Sequence, residues 1–318
     1  MIHNKINIGV LSIGGHAKRN MLPAIIESTK FNLAGCYSRS QTTLEEINNI
    51  YNVDVYSSTE EFLSSGSFDV VYISSPTGIH FEQVKKCILY GKHVLVEKTA
   101  FDSLAHTLEI MELAKLHNIL VMESFMYLYH EQFKRLQEIV HELPFGAIKK
   151  IECKFGFPHL DVNNDIRYKF SLAGGALNDA GAYTISSART LLGDNVKLAW
   201  SDITKLADYD VDTSGVAVLI NENGQTAVCS WEFGASYINE ITLWCEECVI
   251  VVDRAFSKPS TFESNITCKK NGQVIKKYAT GKDNHFIGIL SQFADAITKV
   301  EYESSYKNII AQAEMLEE

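Results

Sequence analysis

The sequence predicts an α/β protein in two parts. The first is a parallel sheet covered by helices; the second is an α+β domain built on a large, mostly antiparallel open sheet. Through about residue 123, short β-rich runs alternate with helical stretches, the rhythm of strands joined by crossover helices. From 196 to 280 the rhythm becomes a meander of strands with tight-turn signals between them. With 318 residues, 46% hydrophobic and 21% charged, the chain has material for two ordinary cores.

In chain order the first part reads as strands KINIGVL, FNLAGCYS, VDVYSS, DVVYISS, HVLVE and ILVME. Between the last three lie two clear helices. FEQVKKCILY is closed by Gly91, where a helix end needs a left-handed residue. SLAHTLEIMELAKLH opens at a Ser103 cap and places Leu104, Leu108 and Met111 on one face. The expected division is 1–123 and 124–318, with the final helices free to pack back toward the first domain. In the second part a helix, EQFKRLQEIVHEL, leads to a long strand, AIKKIECKFGF. A Gly-rich entry then opens the helix ALNDAGAYTISSARTLL, stopped by Gly193. The meander carries turn signals at NENG (221–224) and KNGQ (270–273), and an amphipathic stretch, HFIGILSQFADAI, precedes a last helix.

A net charge of -10 argues against a nucleic-acid backbone binder, which needs clustered Lys and Arg. The apolar run at the N-terminus is far short of the ~20 residues a bilayer requires, and it reads as a first strand; the expectation is a cytoplasmic protein with no membrane or nucleic-acid partner. The seven cysteines are scattered and odd in number, so they read as reduced thiols. Cys245 and Cys248, in CEEC, have half the spacing of a zinc site but no second pair to complete it. Their flanks read as strands, so CEEC is expected to be a turn and no metal is expected.

After the first strand, SIGGHAKRNMLPAI approximates the dinucleotide fingerprint G-x-G-x-x-G/A of a Rossmann domain. The glycines of that motif allow a tight turn and close approach of backbone to a pyrophosphate at a helix N-terminus. Ser12 replaces the first glycine; Gly14 and Ala17 fit the second and third positions, with Ile13 and His16 beside them. At the end of the second strand stand Ser38 and Arg39 and no acid. An acid there would hold the ribose 2'-hydroxyl of NAD, whereas Arg suits the 2'-phosphate of NADP. NADP is therefore the expected cofactor, with NAD possible.

The stretch ISSPTGIHFEQVKKCILYGKHVLVEKTA resembles the Gfo/Idh/MocA oxidoreductase family in the order and spacing of its motifs. Ser75, Pro76, Thr77 and His80 stand where that family has small residues, Pro and a helix bearing His. Glu97-Lys98-Thr99 stands where it has E-K-P. MESFMYLYHEQF and AGGALNDAGAY are similar to the subgroup of dimeric dihydrodiol dehydrogenase and glucose-fructose oxidoreductase. Leu128 replaces that subgroup's usual Arg, and Glu131 its usual Pro.

The resemblance implies an NADP(H)-dependent dehydrogenase or reductase moving a hydride between nicotinamide and a hydroxyl/carbonyl carbon. The substrate would be a small molecule: a sugar, a sugar derivative or a cyclic diol. It implies cofactor contacts from the fingerprint, Ser38, Arg39, Ser75 to Thr77, His80, Glu97 and Lys98, and catalytic roles for Lys98, Asp179 and Tyr183. A carbinol oxygen must gain or lose a proton as hydride moves, so an acid/base group is required. Tyr183 can supply it, with an ammonium such as Lys98 favouring its phenolate; Lys98 is the other candidate donor, and Asp179 would orient substrate or lysine. The family also implies a homodimer through the open sheet, or a higher homo-oligomer. A trans-dihydrodiol dehydrogenase and a non-catalytic NADP-binding regulator are the alternative readings.

Overall fold

A computed structural model describes residues 5–193 and 195–318. The chain divides into two units, one of residues up to Phe125 together with Phe286–Ala313, the other of Met126–His285 with Glu314–Glu318.

The first unit is a six-stranded, all-parallel sheet in the order β3-β2-β1-β4-β5-β6. Its strands are β1 (Ile6–Leu11), β2 (Phe31–Tyr37), β3 (Asp54–Tyr56), β4 (Val70–Ile73), β5 (His93–Val96) and β6 (Val121–Glu123). Their crossovers are α1 (Leu22–Glu27), α2 (Gln41–Tyr51), α3 (Thr59–Ser65), α4 (His80–Leu89) and α5 (Leu104–His117). β4 is buried at every position, as a strand covered on both faces must be. The strand order reverses between β1 and β4, the switch point where such sheets bind ligands outside the strands' carboxyl ends.

Helix ends follow the expected chemistry. Ser103 Oγ accepts the His106 N–H at 3.2 Å and caps α5, and Gly91 adopts a φ of 70° after α4. The buried face of α5 is Thr107, Ile110, Met111 and Ala114, which corrects the expected stripe: Leu108 is 44% exposed. Small side chains at 107 and 114 let the helix lie close to its neighbours, a requirement that a count of leucines overlooks.

Two late helices, α8 (His285–Lys299) and α9 (Glu303–Glu317), carry most of the C-terminal segment of this unit. Phe293 stacks on Phe31 with centroids 6.3 Å apart. The Tyr306 hydroxyl donates to the Ile119 carbonyl at 2.6 Å and Ser305 Oγ to that of Val121 at 2.9 Å. These two bonds fall at the start of β6, one of the sheet's two edge strands, and just before it.

The second unit is an eight-stranded sheet in the order β14-β13-β12-β11-β7-β10-β9-β8. It is antiparallel except for the central β7/β10 pair. The strands are β7 (Ile148–Phe157), β8 (Val196–Thr204), β9 (Ser214–Asn221), β10 (Thr226–Phe233), β11 (Ile238–Cys245), β12 (Val249–Asp253), β13 (Ser264–Lys270) and β14 (Gln273–Gly281). α6 (Glu131–Glu142) and α7 (Ala182–Leu192) belong to this unit. α7 is buried at nearly every position and packs on β7, β9 and β10.

Both expected hairpin turns form: Gly224 closes β9 to β10, and Asn271 and Gly272, at φ 51° and 79°, close β13 to β14. CEEC is the β11/β12 turn, its Cys245 N–H bonded to the Cys248 carbonyl at 2.9 Å. All seven cysteines are free thiols. Among the described residues no helix is long and apolar enough to cross a membrane, and no group of His, Cys, Asp and Glu is arranged to hold a metal.

Candidate functional site

Candidate residues gather at the carboxyl ends of the parallel strands. Past β1, Ser12 adopts a φ of 69°, the left-handed conformation for which the fingerprint normally uses glycine. A Cβ at Gly14 would meet nothing within 4 Å, so the backbone here is open to a phosphate. The turn leads into a helix whose segment Ala17–Met21 is π-helical. Ala17 is wholly buried and Ile13 nearly so, so these two pack the turn while Gly14 faces outward. This opening fits the pyrophosphate of a dinucleotide.

At the end of β2, Ser38 is buried and its Oγ accepts the Ser40 N–H at 3.2 Å, while Arg39 is exposed. Ser40 in turn caps α2. Ser75, past β4, bonds Gln83 through its hydroxyl, and the Gln83 amide reaches Ser12 Oγ at 3.4 Å. Gln83 thus ties the ends of β1 and β4 together, a role invisible in the motif. Pro76 precedes a 3-10 turn, Thr77–Ile79.

His80 is wholly enclosed. Nε2 lies 2.8 Å from the Ser75 carbonyl, and Nδ1 faces the carbonyls of Thr99 and Ala100 at 3.2 and 3.1 Å. Burial holds its pKa below the usual histidine value against those carbonyls. The ring is a strut between two strand-end loops.

Glu97 follows β5. Tyr72, on β4, donates its hydroxyl to Oε1 at 2.6 Å, and His16 Nε2 stands 3.4 Å from the same oxygen. Burial pushes the Glu97 carboxyl up, but His16, the Tyr72 hydroxyl and the Lys98 ammonium together hold it below its ordinary value. His16 is further placed by Asn20, 3.2 Å from Nδ1, and by Phe286, edge-on at 5.5 Å. Lys98 is next, and the Lys98–Thr99 peptide is cis. Ala100 N–H donates to Glu123 Oε1 at 2.9 Å, fixing the segment that follows.

In the second unit, Asp179 lies on a π-helical turn, Leu177–Gly181, that runs directly into α7. Its Oδ2 accepts Arg167 Nε at 2.7 Å. The turn's own start is held by Asp212: Leu177 N–H donates to Oδ2 at 2.7 Å and Ala176 N–H to the Asp212 carbonyl at 3.1 Å. Burial raises the Asp212 pKa above the usual carboxylate value, although these N–H groups oppose it.

Tyr183, only 6% exposed, is walled by Tyr127, Phe155 and Phe256, with centroids at 5.7, 5.5 and 5.8 Å. Its hydroxyl lies 3.5 Å from Met126 Sδ. Tyr127, within MESFMYLYH, is anchored by its hydroxyl to Ser186 Oγ at 3.0 Å. Tyr127 and Phe256 are wholly buried and Phe155 nearly so, so this aromatic cluster packs around the Tyr183 ring and fixes its position. Arg167, Asp212, Tyr72 and Gln83 escaped the sequence reading, because each acts through a partner distant in sequence.

The family model described as "Oxidoreductase family, NAD-binding Rossmann fold" matches residues 6–125, and the GFO/IDH/MocA C-terminal domain matches 133–251. The chain is 29% identical over 269 residues to a dTDP-3,4-didehydro-2,6-dideoxy-alpha-D-glucose 3-reductase of Saccharopolyspora spinosa, covering 85% of this chain and 81% of that one. It is 27% identical to a D-xylose 1-dehydrogenase (NADP(+)) of Haloferax volcanii over 278 residues, 87% of this chain and 85% of that one. The crystal structure of a 3-ketoreductase from Actinomadura kijaniata, in complex with NADP and TDP-benzene, superposes with a TM-score of 0.93 at 24% identity. It covers 99% of this chain and 96% of its own, a likeness of fold. With both halves of the family's architecture matched, this chain belongs to the Gfo/Idh/MocA oxidoreductases and is an enzyme acting on CH–OH or keto groups.

Proposed function

We propose that the protein is an NADPH-dependent reductase of a keto sugar, with a nucleotide-linked deoxy keto sugar as the preferred substrate class. The observation that carries the reaction type is the end of β5, where a half-buried Glu97, held by the Tyr72 hydroxyl, is followed directly by Lys98 on the sheet that also offers the open Gly14 turn. NADPH rather than NADH is favoured by Arg39 standing at the end of β2 without an acid. The substrate class is favoured by the Saccharopolyspora relative, whose match covers most of both chains.

When bound, the dihydronicotinamide supplies a hydride to the carbonyl carbon. Tyr183 then gives its hydroxyl proton to the developing alkoxide, Lys98 hydrogen-bonds that oxygen, and Asp179 orients the substrate. Ser12 to Ala17, Ser75 to Thr77 and Glu97 line the cofactor's place.

We also propose a homodimer through the uncovered face of the large sheet. That face exposes Trp200 (56%), Ile238 (39%) and Trp244 (45%). Trp200 and Ile238 border a hollow of about 330 Å³, and exposed indole and aliphatic side chains set among paired charges suit a second protein surface. The partner is a second copy of this chain, and sedimentation of wild type against Trp200→Glu tests it: a monomer at micromolar concentration in the wild type removes the idea.

The experiment for the reaction follows NADPH absorbance while dTDP-linked keto sugars, free keto sugars and cyclic diols are offered in turn. Fastest oxidation of NADPH with the nucleotide-linked substrate is expected. Faster turnover of free sugars would move the substrate class, and tight NADPH binding with no turnover of any carbonyl would remove the catalytic proposal.

A further inference from the structure

Arg167 stands in the segment between β7 and the π-helical turn and belongs to none of the motifs that identify the site. It grips the start of the Asp179 helix in two ways. Through its backbone, the Arg167 carbonyl accepts the Gly175 N–H at 2.8 Å. The approach is so close that a Cβ on Gly174 would fall 2.5 Å from that carbonyl oxygen, while Gly175 itself has a φ of 123°. Gly174 is therefore demanded by contact with residue 167, and Gly175 by its positive φ and by the Asp212 carboxylate that its Cβ would strike.

Through its side chain, one guanidinium serves two carboxylates. Nε donates to Asp179 Oδ2 at 2.7 Å, and Nη1 reaches Asp165 Oδ1 and Oδ2 at 3.1 and 3.2 Å. Asp165 also accepts the Arg167 N–H at 2.9 Å, capping the 3-10 turn Ile166–Tyr168. The arginine is thus aimed from behind before it meets Asp179. Charge-assisted bonds held from a preset direction fix geometry as well as charge.

We infer that Arg167 is a positioning residue that sets the plane of the Asp179 carboxylate and the register of the π-helical turn carrying it. The inference rests on the proposed action of Asp179 on the substrate. A surface ion pair with no such task would add little, typically under ~1 kcal/mol of stability. An arginine that aims a reacting group controls turnover, because a misplacement of ~1 Å can cost about 10²-fold.

The test compares Arg167→Gln, Arg167→Lys and Arg167→Ala with Asp179→Asn in one NADPH-oxidation assay, using whichever keto sugar the wild type turns over fastest. Thermal unfolding and NADPH binding are measured alongside. Arg167→Gln should lower kcat about 10- to 10²-fold with the KM for NADPH unchanged. Arg167→Lys, which keeps the charge but lacks the fork, should recover only part. Millimolar guanidinium should raise the kcat of Arg167→Ala several-fold, and the same concentration of a primary amine should raise it less. Wild-type kcat in Arg167→Gln while Asp179→Asn is impaired would overturn the positioning role alone. Wild-type kcat in Asp179→Asn would instead overturn the reading of Asp179, and the role of Arg167 with it. A loss in Arg167→Gln tracking only a fall in melting temperature, with no guanidinium rescue, would reduce the arginine to a structural bridge and overturn the inference.

Discussion

Each unit contains a helix whose first part is π-helical, Ala17–Met21 in one and Leu177–Gly181 in the other, and the two are held in opposite ways. The first is made locally. Its turn is shaped by Ser12 and Gly14, packed by Ala17, and left open on the outside. The second is clamped from a distance, by Arg167 twelve residues before Asp179 and by Asp212 thirty-five residues after Leu177. π-turns recur at functional sites. An opening for phosphate needs only backbone and small residues, whereas the substrate-orienting role proposed for Asp179 needs side chains to hold its carboxylate.

The variants that sharpen this contrast differ in size of effect. Tyr183→Phe should have the largest, lowering kcat by ~10²-fold or more while NADPH binding, measured by fluorescence titration, stays at the wild-type value. Equal turnover in the two proteins would remove the proton-donor role. On the nucleotide side, Arg39→Ala should weaken NADPH by about 10- to 10²-fold, the worth of a charge-assisted phosphate contact, and leave NADH nearly unchanged. An equal loss for both cofactors would remove the 2'-phosphate contact.

A pH effect is expected in the second unit. Lys258 is 5% exposed, donates to the Ala255 carbonyl at 3.1 Å, and burial lowers its pKa to about 7 against the opposing charge of Asp283. Its ordinary value is 10.5, so between about pH 7 and 10.5 the unfolded chain binds the proton more tightly and stability rises with pH. Denaturant melts of Lys258→Met should lose that slope and gain about 1–4 kcal/mol at pH 7. Parallel pH curves for variant and wild type would contradict it.

The smallest effects compare the two helix starts directly. Asp212→Ala strips the acceptor from the Leu177 N–H and should cost about 1–3 kcal/mol in chemical denaturation. Gly14→Ala should leave stability almost untouched, since its Cβ meets nothing, while weakening NADPH about tenfold by occupying the space a phosphate approaches. A stability loss at Gly14 matching that at Asp212 would erase the distinction between an open start and a clamped one.

The same distinction explains what could be read in advance. All six parallel strands, the Ser103 cap, the Gly91 stop and both Asn-Gly turns were legible because each is decided within a few residues. Tyr72 was not, because its partner Glu97 is twenty-five residues away on the neighbouring strand. His80 was visible as a motif residue, yet its enclosure by three carbonyls was not, since these come from loops after two different strands. The outward Leu108 misled because leucine serves helix propensity as readily as burial, and the close-packed positions of α5 went to Thr107 and Ala114.

The hydroxyls of Ser305 and Tyr306, bonded to carbonyls at the start of β6 and just before it, also bear on how the protein is made. An unfinished sheet edge invites pairing with other chains, and synthesis adds only about 5–20 residues per second. The first unit closes late in synthesis: the carbonyls of Ile119 and Val121, at its outer strand, go without these partners on the ribosome until residues 305 and 306 have been made. A nascent chain stalled after residue 285 should therefore engage chaperones or aggregate, and supplying residues 286–318 in trans should relieve it.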